Sequence, residues 1–243
     1  MSYKERAEQK LLDTLSDSYD DTSPQSAVAP KAEAQPQPAQ QKAAANSSIY
    51  IDGENTFFQL FDTLRYKRLV RYRDDLVKFD MDWLIQEVLG TGQHKMLYYG
   101  AKLREEDSTP ELLERTRRMI DHKRRWIGYL SNQGVEFVTA GELRIRDTSN
   151  AGEEANLTFA EKGVDVRMAV DMIEAAASEP TEQLVLMSGD ADLAPVVPAI
   201  QRHGVKVTYL AFEGRINDHI AGSVDQTKVV ENKHILEAFK RAN

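Results

Sequence analysis

The strongest constraint on this chain is a repeated local order: a short apolar run, then glycine and carboxylates, then a stretch with helical periodicity. Ile49-Tyr50-Ile51 leads into Asp52-Gly53-Glu54-Asn55, and Leu184-Val185-Leu186-Met187 leads into Ser188-Gly189-Asp190-Ala191-Asp192. A continuous apolar run of this length, rich in branched and aromatic side chains, reads as a buried strand, and glycine at its end permits a sharp turn. Strands that alternate with helices close into a parallel sheet, because a parallel neighbour is reached only through a crossover long enough to hold a helix. Ligands bind such sheets beyond the carboxyl ends of the strands. Two carboxylate-bearing turns, far apart in sequence, are therefore expected at one edge.

The rest of the pattern agrees. His94 to Gly100, Val135 to Val138 and Val205 to Leu210 read as further strands, giving five in all, with helices over about 55–68, 80–90, 110–132, 164–177 and 193–203. The expected fold is a three-layer α/β/α sandwich around a mainly parallel five-stranded sheet. Pro198 falls inside the last of these helices and predicts a kink or a late start. Residues 142–161 mix charge, Asn and Gly and read as a hairpin or loop insertion outside the core.

Outside 48–212 the composition changes. Residues 1–47 form an N-terminal arm: Leu11, Leu12 and Leu15 suit a short amphipathic helix, open to a protein partner. The stretch from about 20 to 48 is rich in Pro, Gln, Ala and Ser and reads as a tether, because it cannot bury enough apolar surface to offset its ordering entropy. Residues 213–243 form a C-terminal extension apolar enough to pack on the domain or on a second copy, so a homo-oligomer stays open. No apolar run reaches the roughly 18 residues of a membrane span and the amino terminus lacks a signal core, so a soluble cytoplasmic protein with no membrane partner is expected.

The 243 residues contain no cysteine, which excludes disulfides, zinc–thiolate sites and thiol catalysis. Five histidines are scattered, none at ligand spacing from another. Carboxylates remain, and a cluster of them suits a hard cation, Mg²⁺ or Mn²⁺, acting on a phosphate ester. Asp52 and Asp190 each follow a strand. Asp192 stands two residues on, where it can also cap the next helix, while Asp190 has no such simple role. Asp165, in Lys162-Gly163-Val164-Asp165, opens a helix, where an acid also complements the dipole. Asp171 falls on another helical face and reads as solvated, and the Ser188 hydroxyl suits either a phosphate contact or a bond within its own turn.

Two basic stretches accompany the acids. Arg65, Lys67, Arg68, Arg71 and Arg73 fall within nine residues, without an acid and interleaved with Tyr66 and Tyr72. Basic side chains hold phosphates and aromatic rings stack on exposed bases. Arg115 to Arg125 precedes Trp126 on a predicted helix, where a solvated face with Trp126 buried beneath it is the simpler reading.

Together, Tyr50-Ile51-Asp52-Gly53-Glu54-Asn55, Lys162-Gly163-Val164-Asp165-Val166 and Ser188-Gly189-Asp190-Ala191-Asp192-Leu193 resemble the three signature blocks of the NYN domain family, within the PIN-like nuclease superfamily. The resemblance covers about 48–212. It implies a PIN-like sandwich, Mg²⁺ or Mn²⁺ at the acids, and single-stranded RNA as substrate. Asp52, Asp165, Asp190 and Asp192 match its acidic positions and Asn55 its polar one, with Lys162 and Ser188 beside them as RNA contacts. A metal-dependent endoribonuclease is the leading expectation. A catalytically silent RNA- or protein-binding module of the same fold is the rival, and a phosphatase for small esters the third reading.

Overall fold

The computed structural model describes residues 47–147, 157–178, 181 and 183–243. The predicted arm helix and tether lie outside these residues, apart from Ser47 and Ser48, which begin the first strand. The elements run β1 (Ser47–Asp52), α1 (Gly53–Tyr66), α2 (Met81–Leu89), β2 (His94–Lys102), α3 (Pro110–Ser131), β3 (Val135–Asp147), β4 (Leu157–Lys162), α4 (Val164–Ser178), β5 (Gln183–Met187), α5 (Val196–Gln201), β6 (Lys206–Phe212), α6 (Asp218–Ala221), β7 (Gln226–Val230) and α7 (Asn232–Ala242).

The sheet has seven strands in the order β4-β3-β2-β1-β5-β6-β7, and every pairing is parallel except β3 with β4. The expected mainly parallel α/β architecture is present, but five strands was an undercount. The two extra strands are the edges. β4 pairs antiparallel with β3 and turns the expected insertion into a hairpin, while β7 lies in the C-terminal extension and adds to β6. An edge strand has one free flank and need not be apolar throughout, so Gln226-Thr227-Lys228-Val229-Val230 offers little periodic signal.

Central strands are apolar on both faces because helices cover both. Ile49 and Ile51 point into a core with Phe57, Leu60 and Leu64 of α1, Trp126 of α3 and Ile235 of α7. Tyr50 points the other way, into a core with Met168 and Met172 of α4, Val197 of α5 and Ile220 of α6. Each fully buried side chain of this size contributes about 1.5–3 kcal/mol relative to exposure. The C-terminal extension closes the first core, since Val230, Ile235 and Ala238 are buried within it.

Pro198 produces the late start and no kink. After a 3₁₀ turn at Ala191–Leu193, α5 begins at Val196, so proline falls in its first turn, where the missing N–H has no intrahelical partner to lose.

The strand order reverses between β1 and β5: β2 lies on one side of β1 and β5 on the other. Crossovers leave in opposite directions there, so a crevice opens beyond the carboxyl ends of these two strands. Asp52 ends β1 and Ser188 follows β5. Among the described residues no helix is long and apolar enough to cross a membrane.

Candidate active site

At the end of β1 the chain enters α1 without a connecting loop, and Asp52 is the N-cap: its Oδ1 accepts from the Asn55 backbone N–H at 3.2 Å. Its Oδ2 accepts from the Ser188 hydroxyl at 2.8 Å, a bond between residues 136 apart in the chain. Ser188 is 2% exposed and its oxygen also accepts from the Asp190 N–H at 3.1 Å, so one hydroxyl ties both turns together. The Asn55 amide oxygen accepts from the Gly189 N–H at 3.0 Å, and the Asn217 side chain donates to the Gly189 carbonyl at 3.0 Å. Asp52, Asn55, Ser188, Gly189 and Asp190 thus form one hydrogen-bonded unit across the crevice.

The electrostatics of that unit are unfavourable for negative charge. Burial pushes the Asp52 carboxyl above the ordinary aspartate range, and the charges of Asp190 and Glu161 push it further. The Ser188 hydroxyl and the Asn55 N–H pull against them. A carboxylate desolvated beside two others is what a cation relieves.

Two expectations change, one at the third block and one on α4. Asp190, not Asp192, is the cap: its Oδ1 accepts from the Asp192 N–H at 3.0 Å and starts the 3₁₀ turn, which leaves Asp192 exposed. Asp171 is not freely solvated, since it accepts from the Tyr99 hydroxyl at 3.0 Å and from Arg167 Nε at 2.7 Å. Asp165 stands in the first turn of α4, half-buried, and Lys162 is exposed at the end of β4.

Glu161 is the acid that sequence reading passed over. It sits on β4 opposite Leu143, and Lys123 of α3 donates to its Oε1 at 3.1 Å with both side chains largely buried, at 21% and 16% exposure. Its signal was the alternation Leu157-Thr158-Phe159-Ala160 just before it, a period of two within a segment set aside as an insertion.

The wall beside the acids is held by Tyr98 of β2. Its buried hydroxyl donates to the Gly53 carbonyl at 2.7 Å and accepts from Trp126 Nε1 at 3.1 Å, joining α1, β2 and α3. That closeness requires glycine: a Cβ on Gly53 would stand 2.3 Å from the Tyr99 carbonyl and 2.4 Å from the Tyr98 ring.

The first basic stretch is fully on the surface. Arg65, Lys67, Arg68 and Arg71 are exposed, as are Tyr66 at 82% and Tyr72 at 59%. Arg73 reaches back to the acidic edge, donating to Glu54 at 2.7 Å with its guanidinium 4.8 Å from the Phe57 ring centre. The second stretch matches the simpler reading: Trp126 is 2% exposed, while Arg117, Arg118, Arg124 and Arg125 face outward from α3.

The donor set fits a hard cation in kind. Asp52 and Asp190 offer carboxylate oxygens, and Mg²⁺ commonly takes one or two carboxylates and keeps several waters. Among the described residues no group of three or more His, Asp or Glu side chains is arranged to hold a metal ion. The expectation from the sequence is that Asp52, Asp190 and Asp192 hold one ion, with Asp165 completing the site directly or through water; the described residues show no such three-acid group.

Among curated proteins none matches the chain. Of solved structures, it is similar to a Vibrio parahaemolyticus protein of unknown function at 20% identity, covering 78% of this chain and 95% of that one with a TM-score of 0.48. It is also similar to phosphoglycerate kinase from Coxiella burnetii at 9% identity, covering 84% and 52% respectively with a TM-score of 0.34. The model of the NYN domain, a PIN-like nuclease-type domain, matches residues 46–229, a span that contains both β1 and β5 and every acid described above, and the chain belongs to that family.

Proposed function

We propose that this protein is a metal-dependent endoribonuclease that hydrolyses phosphodiester bonds of single-stranded RNA at the β1/β5 crevice. One observation carries the reading: Asp52 is a half-buried carboxyl at the switch point of the sheet, raised by loss of solvent and by the charges of Asp190 and Glu161, and joined to the Asp190 turn through Ser188. Structural carboxylates in folded proteins are usually paired with cations or left in water. A desolvated acid among acids at a ligand-binding edge is the arrangement found at functional sites.

Asp52 and Asp190 would hold Mg²⁺ or Mn²⁺, with Asp165 and Asp192 at its outer side. Bound there, the ion supplies Lewis-acid polarisation of a phosphoryl oxygen. Ser188 orients Asp52 by donating to Oδ2, and Asn55 fixes the Gly189 turn that carries Asp190. Lys162 and the exposed Arg65 to Arg73 stretch would bind backbone phosphates on the approach. Water attacks phosphorus in line with O3′, the P–O3′ bond breaks and the proton ends on O3′, leaving a 5′-phosphate and a 3′-hydroxyl. The setting proposed is the cytoplasm.

The test is cleavage of a labelled single-stranded RNA with Mn²⁺ or Mg²⁺, comparing the native chain with Asp190→Asn. Loss of about 10²-fold or more in rate is expected, the scale of removing one transition-state-stabilising group; equal activity in the variant rejects the assignment. The lack of a three-acid group among the described residues favours a second reading, an RNA- or protein-binding module without turnover. Calorimetric titration with Mn²⁺ separates the two, since the binding module has no need to take up the ion at Asp52.

A further inference from the structure

Beside the acidic crevice lies a cavity of about 550 Å³ between α1, α3 and the β2-β3-β4 end of the sheet. Gly53 and Glu54, the two residues after Asp52, line it, and so does Glu161, whose charge acts on Asp52. The cavity therefore adjoins the candidate active site through the first turn of α1. The volume is within the range of sites for small organic ligands.

Four features define what it would take. The deep wall is aromatic: Phe57 and Trp126 meet edge to face, with centroids 5.3 Å apart at 86°, and Tyr98 stands beside them. The middle is apolar and half-buried, formed by Leu103, Met119 and Leu143. A polar pair lies at one side, where Lys123 donates to Glu161 at 3.1 Å and to the Ala101 carbonyl at 2.8 Å, so a donor and an acceptor stand next to each other. Arg73 lines the cavity with its guanidinium over Phe57, a cation between the pocket and the exposed basic stretch. Aromatic and apolar walls, one adjacent donor and acceptor, and a cation toward the phosphate path suit a flat heterocycle carrying a phosphate.

We propose that this cavity binds one nucleobase of the RNA strand, with its ring against Phe57, Met119 and Trp126 and its hydrogen-bonding edge toward Lys123 and Glu161. Resting on the ribonuclease reading, it makes the site selective for strands that can turn one base out beside the bond to be cut. The base edge facing Lys123 and Glu161 meets a donor and an acceptor side by side, so bases that present the complementary pair bind best.

The experiment is calorimetry on the full chain in EDTA, so that binding is read without turnover and a failure of the metal chemistry leaves the result intact. The titrants are 5′-AMP, 5′-CMP, 5′-GMP, 5′-UMP and ribose 5-phosphate, followed by a short RNA and the same RNA with single abasic positions. At least one nucleotide is expected to bind more tightly than ribose 5-phosphate by about tenfold or more, roughly 1.4 kcal/mol. Met119→Trp and Leu103→Trp, which fill the cavity from a helix and from a loop, are each expected to abolish that preference while melting like the native chain. One abasic position should weaken RNA binding by a similar factor. Nucleotides that bind no better than ribose 5-phosphate, or cavity-filled but folded variants that bind them equally, overturn the proposal. Nucleotide binding without any abasic effect assigns the cavity to a free nucleotide and removes it from the RNA path.

Discussion

Two single residues carry more cost than a purely structural fold would accept. Asp52 has its carboxyl raised by burial first and by Asp190 and Glu161 after it. A carboxyl whose folded value exceeds its unfolded one favours the fold only while protonated. That stabilisation is complete below the ordinary aspartate range and is lost as pH rises through the raised value. Asp52→Asn keeps an N-cap acceptor and removes the charge, so at pH 7 without divalent ions it is expected to melt higher than the native chain, and near pH 3 the difference should vanish. Each 1 kcal/mol gained moves Tm by roughly 2–4 °C in a chain of this size, which calorimetric scans at the two pH values resolve. A variant that melts lower at pH 7 would show that the acid stabilises the fold. Arg68 is the second case. At φ 58° it is the non-glycine residue with left-handed backbone among those described, and it fills the position after the α1 cap where glycine is usual. Its N–H reaches Arg65 O at 2.9 Å and the Leu69 N–H reaches Leu64 O at 2.9 Å. Arg68→Gly should gain about 0.5–1 kcal/mol by relieving that conformation, while RNA binding falls, a pairing of signs that melting and filter binding together report. At this scale the sequence was legible where a motif names the residue, as at Asp52, Asn55 and Asp190. It misassigned the cap between Asp190 and Asp192, because which acid caps depends on where a one-turn helix starts. Glu161 stayed hidden because its neighbours Asp52 and Lys123 are brought to it only by the folded sheet.

At the scale of elements, α1 is the part that couples the fold to the site. It starts on the residue after Asp52 with no loop to absorb an error, and it docks against β2 through a gap that only glycine leaves open. Gly53→Ala would press a methyl group against the Tyr99 carbonyl and the Tyr98 ring, and both the peptide and the ring are fixed by the sheet and by the Trp126 bond. Relief requires α1 to lift, which opens the Phe57 and Leu60 packing and strips Asp52 of the Asn55 N–H. Overpacking of this kind costs about 1–3 kcal/mol. The expected outcome is a lower urea midpoint with unchanged m, accompanied by loss of any Mn²⁺ uptake; an unchanged midpoint would mean that α1 is free to shift. The elements themselves were legible in proportion to their burial. β1, β2, β5 and β6 are buried along most of their length and announce themselves as apolar runs, while β3 shows itself only in the short stretch Val135 to Val138, with Glu136 exposed. β4 and β7 are edges with partly polar sequences: β4 shows only the brief alternation before Glu161, and β7 has little period to separate it from a loop.

Over the whole molecule the formal charge is −8, which opposes a polyanion, yet the proposed substrate is one. Distribution resolves the conflict if the cations that meet RNA are those whose side chains make no direct ion pair among the described residues, Arg71 acting on Asp75 only at longer range. On α3 the arginines are largely neutralised at short range: Arg117 pairs with Glu105, Arg118 with Glu114 and Arg124 with Asp121. In the loop after α1 the contacts differ, for Lys67 stands over the Tyr66 ring at 5.5 Å and Arg71 over the Tyr72 ring at 5.0 Å. A cation held on an aromatic face keeps its charge available and carries a stacking surface with it. RNA affinity measured across salt should therefore report this loop and not the helix. Each phosphate contact contributes a slope of about −0.7 in log K against log salt for a single strand, so Lys67→Gln with Arg71→Gln should flatten the slope by roughly 1.4. Arg117→Gln with Arg124→Gln, equal in charge removed, should leave it nearly unchanged. Equal flattening by both pairs would mean that the protein binds through its overall field, and a loss confined to the helix pair would move the RNA path from the α1 loop to α3.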